Sequence, residues 1–141
     1  MSRAIIYPQI TMRLENVDRK FALAGLIYAV VGMILGIVMA ASKNHGQMVT
    51  HAHIMLLGFV VSFIYALCHK LWLSNSDGTL GQIQFWLHQL GAAILVVGLF
   101  LLYGGLVGID KLDPILAIAS TVVLTAMILM VVMFGKSSAN S

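Results

Sequence analysis

The sequence predicts an all-α membrane protein, a four-transmembrane-helix up-down bundle. Three observations predict it. Hydrophobic residues make up 60% of the 141 positions and charged residues only 9%, whereas a soluble domain carries about 25% charged residues. The apolar residues gather into four runs, each of about the 20 residues a helix needs to cross a hydrocarbon core. The links between the runs are short and polar, so consecutive helices must be antiparallel neighbours.

Residues 1–20 are polar and mixed in charge, with Pro8 interrupting them early. They have no apolar core and no small-residue cleavage site, so they read as a cytoplasmic extension rather than a secretory signal. The spanning domain then covers 21–135. Its first helix is expected over 21–41, with Asp18 as a cap, and Ser42 to Gly46 form a turn. The second helix is expected over 49–73, where Lys70 is the only charge in any of the four runs and lies near enough to the end to snorkel. Ser74 to Gly78 form a polar turn of residues that tolerate unusual backbone angles. The third helix is expected over 82–107. The fourth, over 114–134, reads as starting with Asp113 at the N-cap and Pro114 at the first helical position. Residues 136–141 form a short cytoplasmic tail.

Small residues mark close helix approach. Gly25, Gly32 and Gly36 share one face of the first helix, with a GxxxG spacing from Gly32 to Gly36, and Gly91 and Gly98 share a face of the third. Such faces serve tight packing or make room for a flat cofactor.

The net charge of +3 does not point to nucleic acid, because the cations flank apolar runs and act as topology signals. With the N-terminus in the cytoplasm, Arg3, Arg13, Arg19, Lys20, Lys70 and Lys136 lie inside and only Lys43 and Lys111 outside. Six against two places both termini in the cytoplasm. Trp72 and Trp86 then sit at the inner interface, where amphipathic rings are favoured. The single cysteine, Cys68, excludes an intrachain disulfide and a cysteine-based zinc site, and reads as a small packing residue.

Few side chains are left to carry chemistry. The carboxylates Glu15, Asp18, Asp77, Asp110 and Asp113 lie in loops and flanks, and no phosphate-binding or dinucleotide glycine motif is present. Five histidines remain. His45, His51 and His53 lie at the outer side, whereas His69 and His88 lie toward the inner side. The 16 residues from His53 to His69 rise by roughly 24 Å.

His51-Ala52-His53, just inside the start of the second helix, is the strongest signal. An imidazole in hydrocarbon needs a partner, and ionisable groups in membrane helices are functional candidates. Two histidines one residue apart diverge by roughly 200° on a helix, so they do not reach one metal from a single regular helix. The competing reading is a pair of interfacial rings bonded to water or headgroups. His88, in Phe85-Trp86-Leu87-His88, is a cofactor ligand, a donor to a bound cofactor, or a polar tie between helices. Depth arithmetic puts it over ~10 Å from His53. His69, beside Lys70, reads as interfacial, and His45 as a turn residue. Of the nine methionines, Met48 and Met55 flank the histidine pair, and the rest read as soft packing.

The stretch from His51 to Phe59, His-Ala-His-Ile-Met-Leu-Leu-Gly-Phe, resembles the second helix of haem-copper oxidase subunit I, a family that includes the cytochrome oxidases and membrane nitric oxide reductases. The pair is also similar to the His-x-His of that family's tenth helix. Small four-helix bacterial proteins with His-Ala-His and Phe-Trp-Leu-His stretches look alike too. The resemblance implies that His53, and with it His51, is an axial ligand of haem b iron. It implies a fold similar to one four-helix unit of the twelve-helix oxidase core, and a homo-oligomer, a homotrimer, with haem between protomers. It also implies a bacterial inner (cytoplasmic) membrane. No histidine is followed by tyrosine four residues on, and the acidic cluster of nitric oxide reductases is missing, so copper is not expected.

The expected function is therefore a membrane-bound b-type haem protein with bis-histidine ligation, cofactor residues His51, His53 and His88, and a redox partner. A bis-histidine iron has no open position, which favours electron transfer or redox or gas sensing over catalysis. The alternatives are a cofactor-free membrane assembly or accessory subunit, and a haem-dependent reductase with a second metal at an oligomer axis.

Overall fold

The protein is described here by a computed structural model over residues 16–73 and 78–138. The readings placed on residues 1–15, on the turn at 74–77 and on the last tail residues, 139–141, lie outside it. Four helices follow one another: α1 (Val17–Ser42), α2 (Met48–Leu71), α3 (Thr79–Tyr103) and α4 (Ile109–Ser138). Each is long and apolar enough to cross a membrane, and no strand occurs among the described residues. The chain is a multi-pass membrane protein.

The boundaries follow local chemistry. α1 starts after Asn16, and Asp18 lies in its first turn without making a capping bond; there it favours the positive end of the helix dipole. The chain leaves α1 through Lys43, which is left-handed at φ 55°. The turn that follows is closed by side chains: Ser42 Oγ donates to the Met39 carbonyl, and the Gly46 N–H donates to Asn44 Oδ1 at 2.9 Å.

The helix ends differ from the expected ones by one to five residues, and two of the shifts have a clear local cause. α3 stops at Tyr103, before the expected Val107, because Gly105 takes φ +68°. The Leu106 N–H then reaches the Leu101 carbonyl and the Gly105 N–H reaches the Leu102 carbonyl, each at 3.0 Å. This pair of bonds is a Schellman closure, which satisfies the last carbonyls of the helix. α4 starts at Ile109 and takes Pro114 inside it, so Asp113 is not the N-cap. The N–H that proline lacks would have met the carbonyl of Asp110 in the first turn, close enough to the helix end for water to serve instead.

α2 holds a feature its sequence did not announce. Met48–His53 is α-helical, Ile54–Val61 is a π-helix, and Ser62–Leu71 is α-helical again. The wider π turn begins immediately after the histidine pair.

The glycine faces do the packing. A Cβ at Gly25 would stand 3.2 Å from the Phe59 carbonyl oxygen, and one at Gly32 would collide with Met55 Sδ, so α1 lies directly on α2. Likewise Gly91 faces Val123 and the Ala119 carbonyl, and Gly98 faces Leu116, so α3 lies on α4. One core cluster gathers Val17, Phe21, Tyr65, Ala66 and Met130 at the end of the bundle that bears both chain termini; another gathers Leu95, Leu99 and Ala119 toward the α1–α2 loop. Outward-facing residues such as Leu23, Ile37, Ile118 and Val131 are large, apolar and exposed, as a lipid-facing surface requires. Ser120, Thr121 and Thr125 bond carbonyls of their own helix, leaving no bare hydroxyl toward lipid.

Candidate functional site

The histidines occupy two levels. Near the α1–α2 loop, the short α-helical start of α2 carries His51 and His53, both half-buried. Gln47 fixes this end by donating from Nε2 to the Phe100 carbonyl of α3 at 3.1 Å, while its Oε1 accepts from Thr50 at 2.6 Å.

His51 leans onto α1. Its Nδ1 lies 3.0 Å from the Gly32 carbonyl, and a Cβ at Gly36 would stand 3.1 Å from its Cε1. Gly36 therefore lets the ring lie against the α1 backbone. His53 turns back on its own helix, with Nδ1 2.8 Å from the Val49 carbonyl. A carbonyl only accepts, so Nδ1 carries the proton in both rings. Neither Nε2 has a hydrogen-bond partner among the described residues. A backbone carbonyl on one imidazole nitrogen orients the other for a metal. The two rings point to different neighbours, as their spacing predicts.

Toward the terminal end, His69 is 1% exposed, so the expectation of an interfacial ring is corrected. Its Nε2 donates to Gln84 Oε1 at 2.7 Å, and its ring stacks on Phe21 at 5.7 Å. The reason is helical phase: Tyr65 and His69 lie four apart on the face of α2 that meets Gln84 and His88, four apart on α3. Lys70, next in sequence, is exposed and lies 3.9 Å from Asp18. Asp18 is itself buried, more deeply than a flanking carboxylate would be.

His88 is fully buried. Its Nε2 donates to the Leu57 carbonyl in the π segment at 3.2 Å, and its ring meets Tyr65 edge-on at 5.0 Å. His88 is thus a polar tie from α3 to α2, and it reaches α2 only four residues beyond His53. One residue further along α3, Gln89 donates to Ser62 at 3.0 Å, at the other end of the π segment. No hydrogen bond or ring contact joins His88 to His51 or His53.

His45 is an exposed turn residue. Among the described residues no group of three or more His, Cys, Asp or Glu side chains converges as metal ligands would. Sequence reasoning did not single out Phe21, Tyr65 or Gln84. The paired four-residue spacings, Tyr65 with His69 and Gln84 with His88, were the available signal.

Comparison with protein-family models, with curated proteins and with solved structures found no match.

Proposed function

We propose that this chain is a membrane b-type haem protein whose iron is held by Nε2 of His51 and Nε2 of His53, and that it serves electron transfer or redox or gas sensing. The observation that carries the reading is the state of the two imidazoles. Each gives its Nδ1 proton to a backbone carbonyl and presents an unpaired Nε2, the arrangement a metal-binding histidine needs. The rings diverge, so the two ligands of one iron come from neighbouring protomers, in a homotrimer with haem between chains. This is the arrangement of a chain similar to one four-helix unit of haem-copper oxidase subunit I, placed in a bacterial inner membrane with both termini in the cytoplasm.

Bound haem would supply a one-electron couple. The chain's own part is to orient and to exclude water. The Gly32 and Val49 carbonyls fix the rings, Gly36 makes room for His51, and the apolar helix faces keep the site dry. In this reading His88 supports the site from α3 through its bond to the π segment.

Protein purified from cells supplied with a haem precursor should show a sharp Soret band and resolved α and β bands on reduction. His53→Ala should abolish them while the helical circular dichroism persists. A colourless wild-type protein would overturn the proposal. One observation favours a second reading, a cofactor-free assembly protein: the His51 bond to Gly32 also ties α2 to α1. In that case removing both histidines would leave the oligomer unchanged.

A further inference from the structure

The buried cluster at the terminal end has polar atoms that its protein neighbours do not satisfy. His88 is 0% exposed, and its Nδ1 has no hydrogen-bond partner; Gln84 is 0% exposed, and its Nε2 has none; Asp18 is 9% exposed, and its Oδ1 has none. Their roles are complementary. The Leu57 carbonyl holds the proton of His88 on Nε2, so Nδ1 is an acceptor. Gln84 Oε1 receives the His69 bond, so Nε2 is a donor. The lone donor and lone acceptor sit four residues apart on one face of α3, a rise of roughly 6 Å. Side chains four apart on a helix are neighbours, so one oxygen can accept from the Gln84 amide and donate to the His88 ring.

We propose that Gln84 and His88 bind an internal water. Water is the smallest species that accepts from an amide and donates to an imidazole at once, and buried waters of this kind take two to four polar partners. His88 lies nine residues into α3, roughly 13 Å from the start of the helix, so the water stands within the hydrocarbon core, on the terminal side of its middle. Phe21 from α1 and Tyr65 from α2 wall the cluster, and the Leu57 carbonyl closes it toward His53. Toward the terminal end, Lys70 lies 3.9 Å from Asp18 and Lys20 donates to Gln82 at 3.1 Å. The water needs no haem at His51 or His53.

Water-edited solid-state NMR on the full chain in lipid bilayers, with ¹⁵N-labelled histidine, tests this. The His88 signals, assigned by their loss in His88→Asn, should receive magnetisation from water as fast as those of exposed His45. Gln84→Met, which keeps the volume and removes the amide donor, should slow that transfer several-fold and leave the helical circular dichroism unchanged. Transfer to His88 as slow as to buried backbone amides of α3 would overturn the proposal. So would an unchanged rate in Gln84→Met, or a stoichiometric non-haem metal ion found by elemental analysis and lost in His88→Asn.

Discussion

His51 and His53 stand one residue apart in sequence but are held by different parts of the fold. The bond from His51 crosses to α1, whereas the bond from His53 stays within its own turn. Removing His51 therefore loosens a helix pair and should cost about 1 kcal/mol of stability; removing His53 should cost less. Thermal unfolding of His51→Ala and His53→Ala in detergent checks the order. Gly36 gives a sharper test of the site. A methyl there would press on His51 Cε1 from 3.1 Å, so Gly36→Ala should lower the ratio of Soret to protein absorbance while the fold survives. The pair itself was legible in the sequence, because imidazole within an apolar run is costly enough to stand out. The burial of His69 was not. Its neighbour Lys70 pointed to the interface, and only the phase of α2 against α3 decides which of the two adjacent side chains turns inward.

At the scale of elements, the π segment Ile54–Val61 carries the most consequence. It inserts extra residues between the histidine pair and the rest of α2, and such turns recur at functional sites. His88 bonds it at Leu57, and Gln89 bonds Ser62 immediately after it. His88→Ala would leave the Leu57 carbonyl without this donor, and the unfolding midpoint should fall by the equivalent of about 1–3 kcal/mol. Deleting Val60 should regularise the turn to α-helix and so remove the wide turn that sets the histidine pair against α1 and accepts the His88 bond. Haem binding should then be lost with helical content retained, as read from absorbance and circular dichroism together. Apolar periodicity located all four helices because length and hydropathy are local properties. It did not reveal the π turn, because Ile-Met-Leu-Leu-Gly-Phe-Val-Val is equally apolar in either winding. The end of α3 was legible in principle: Gly104-Gly105 is a stop signal, and Gly105 at φ +68° uses it. Gly105→Ala should destabilise that end by about 1 kcal/mol.

For the whole molecule, four antiparallel spans put the start of α1 and the end of α4 on one side, and Trp72 against Phe134 shows the ends of α2 and α4 meeting there. We propose, from the charge count, that this side faces the cytoplasm. In a Cys68→Ala background, Asn44→Cys should react with a membrane-impermeant thiol reagent in intact cells, and Ser137→Cys only after lysis; the reverse pattern would invert the topology. The central claim is that Nε2 of His51 and Nε2 of His53 from neighbouring chains close on one haem. Native mass spectrometry of the full-length protein released from detergent tests it most directly. A trimer carrying one haem mass per chain, and losing that mass in His53→Ala, is the predicted result. A bare monomer with no added mass would contradict it.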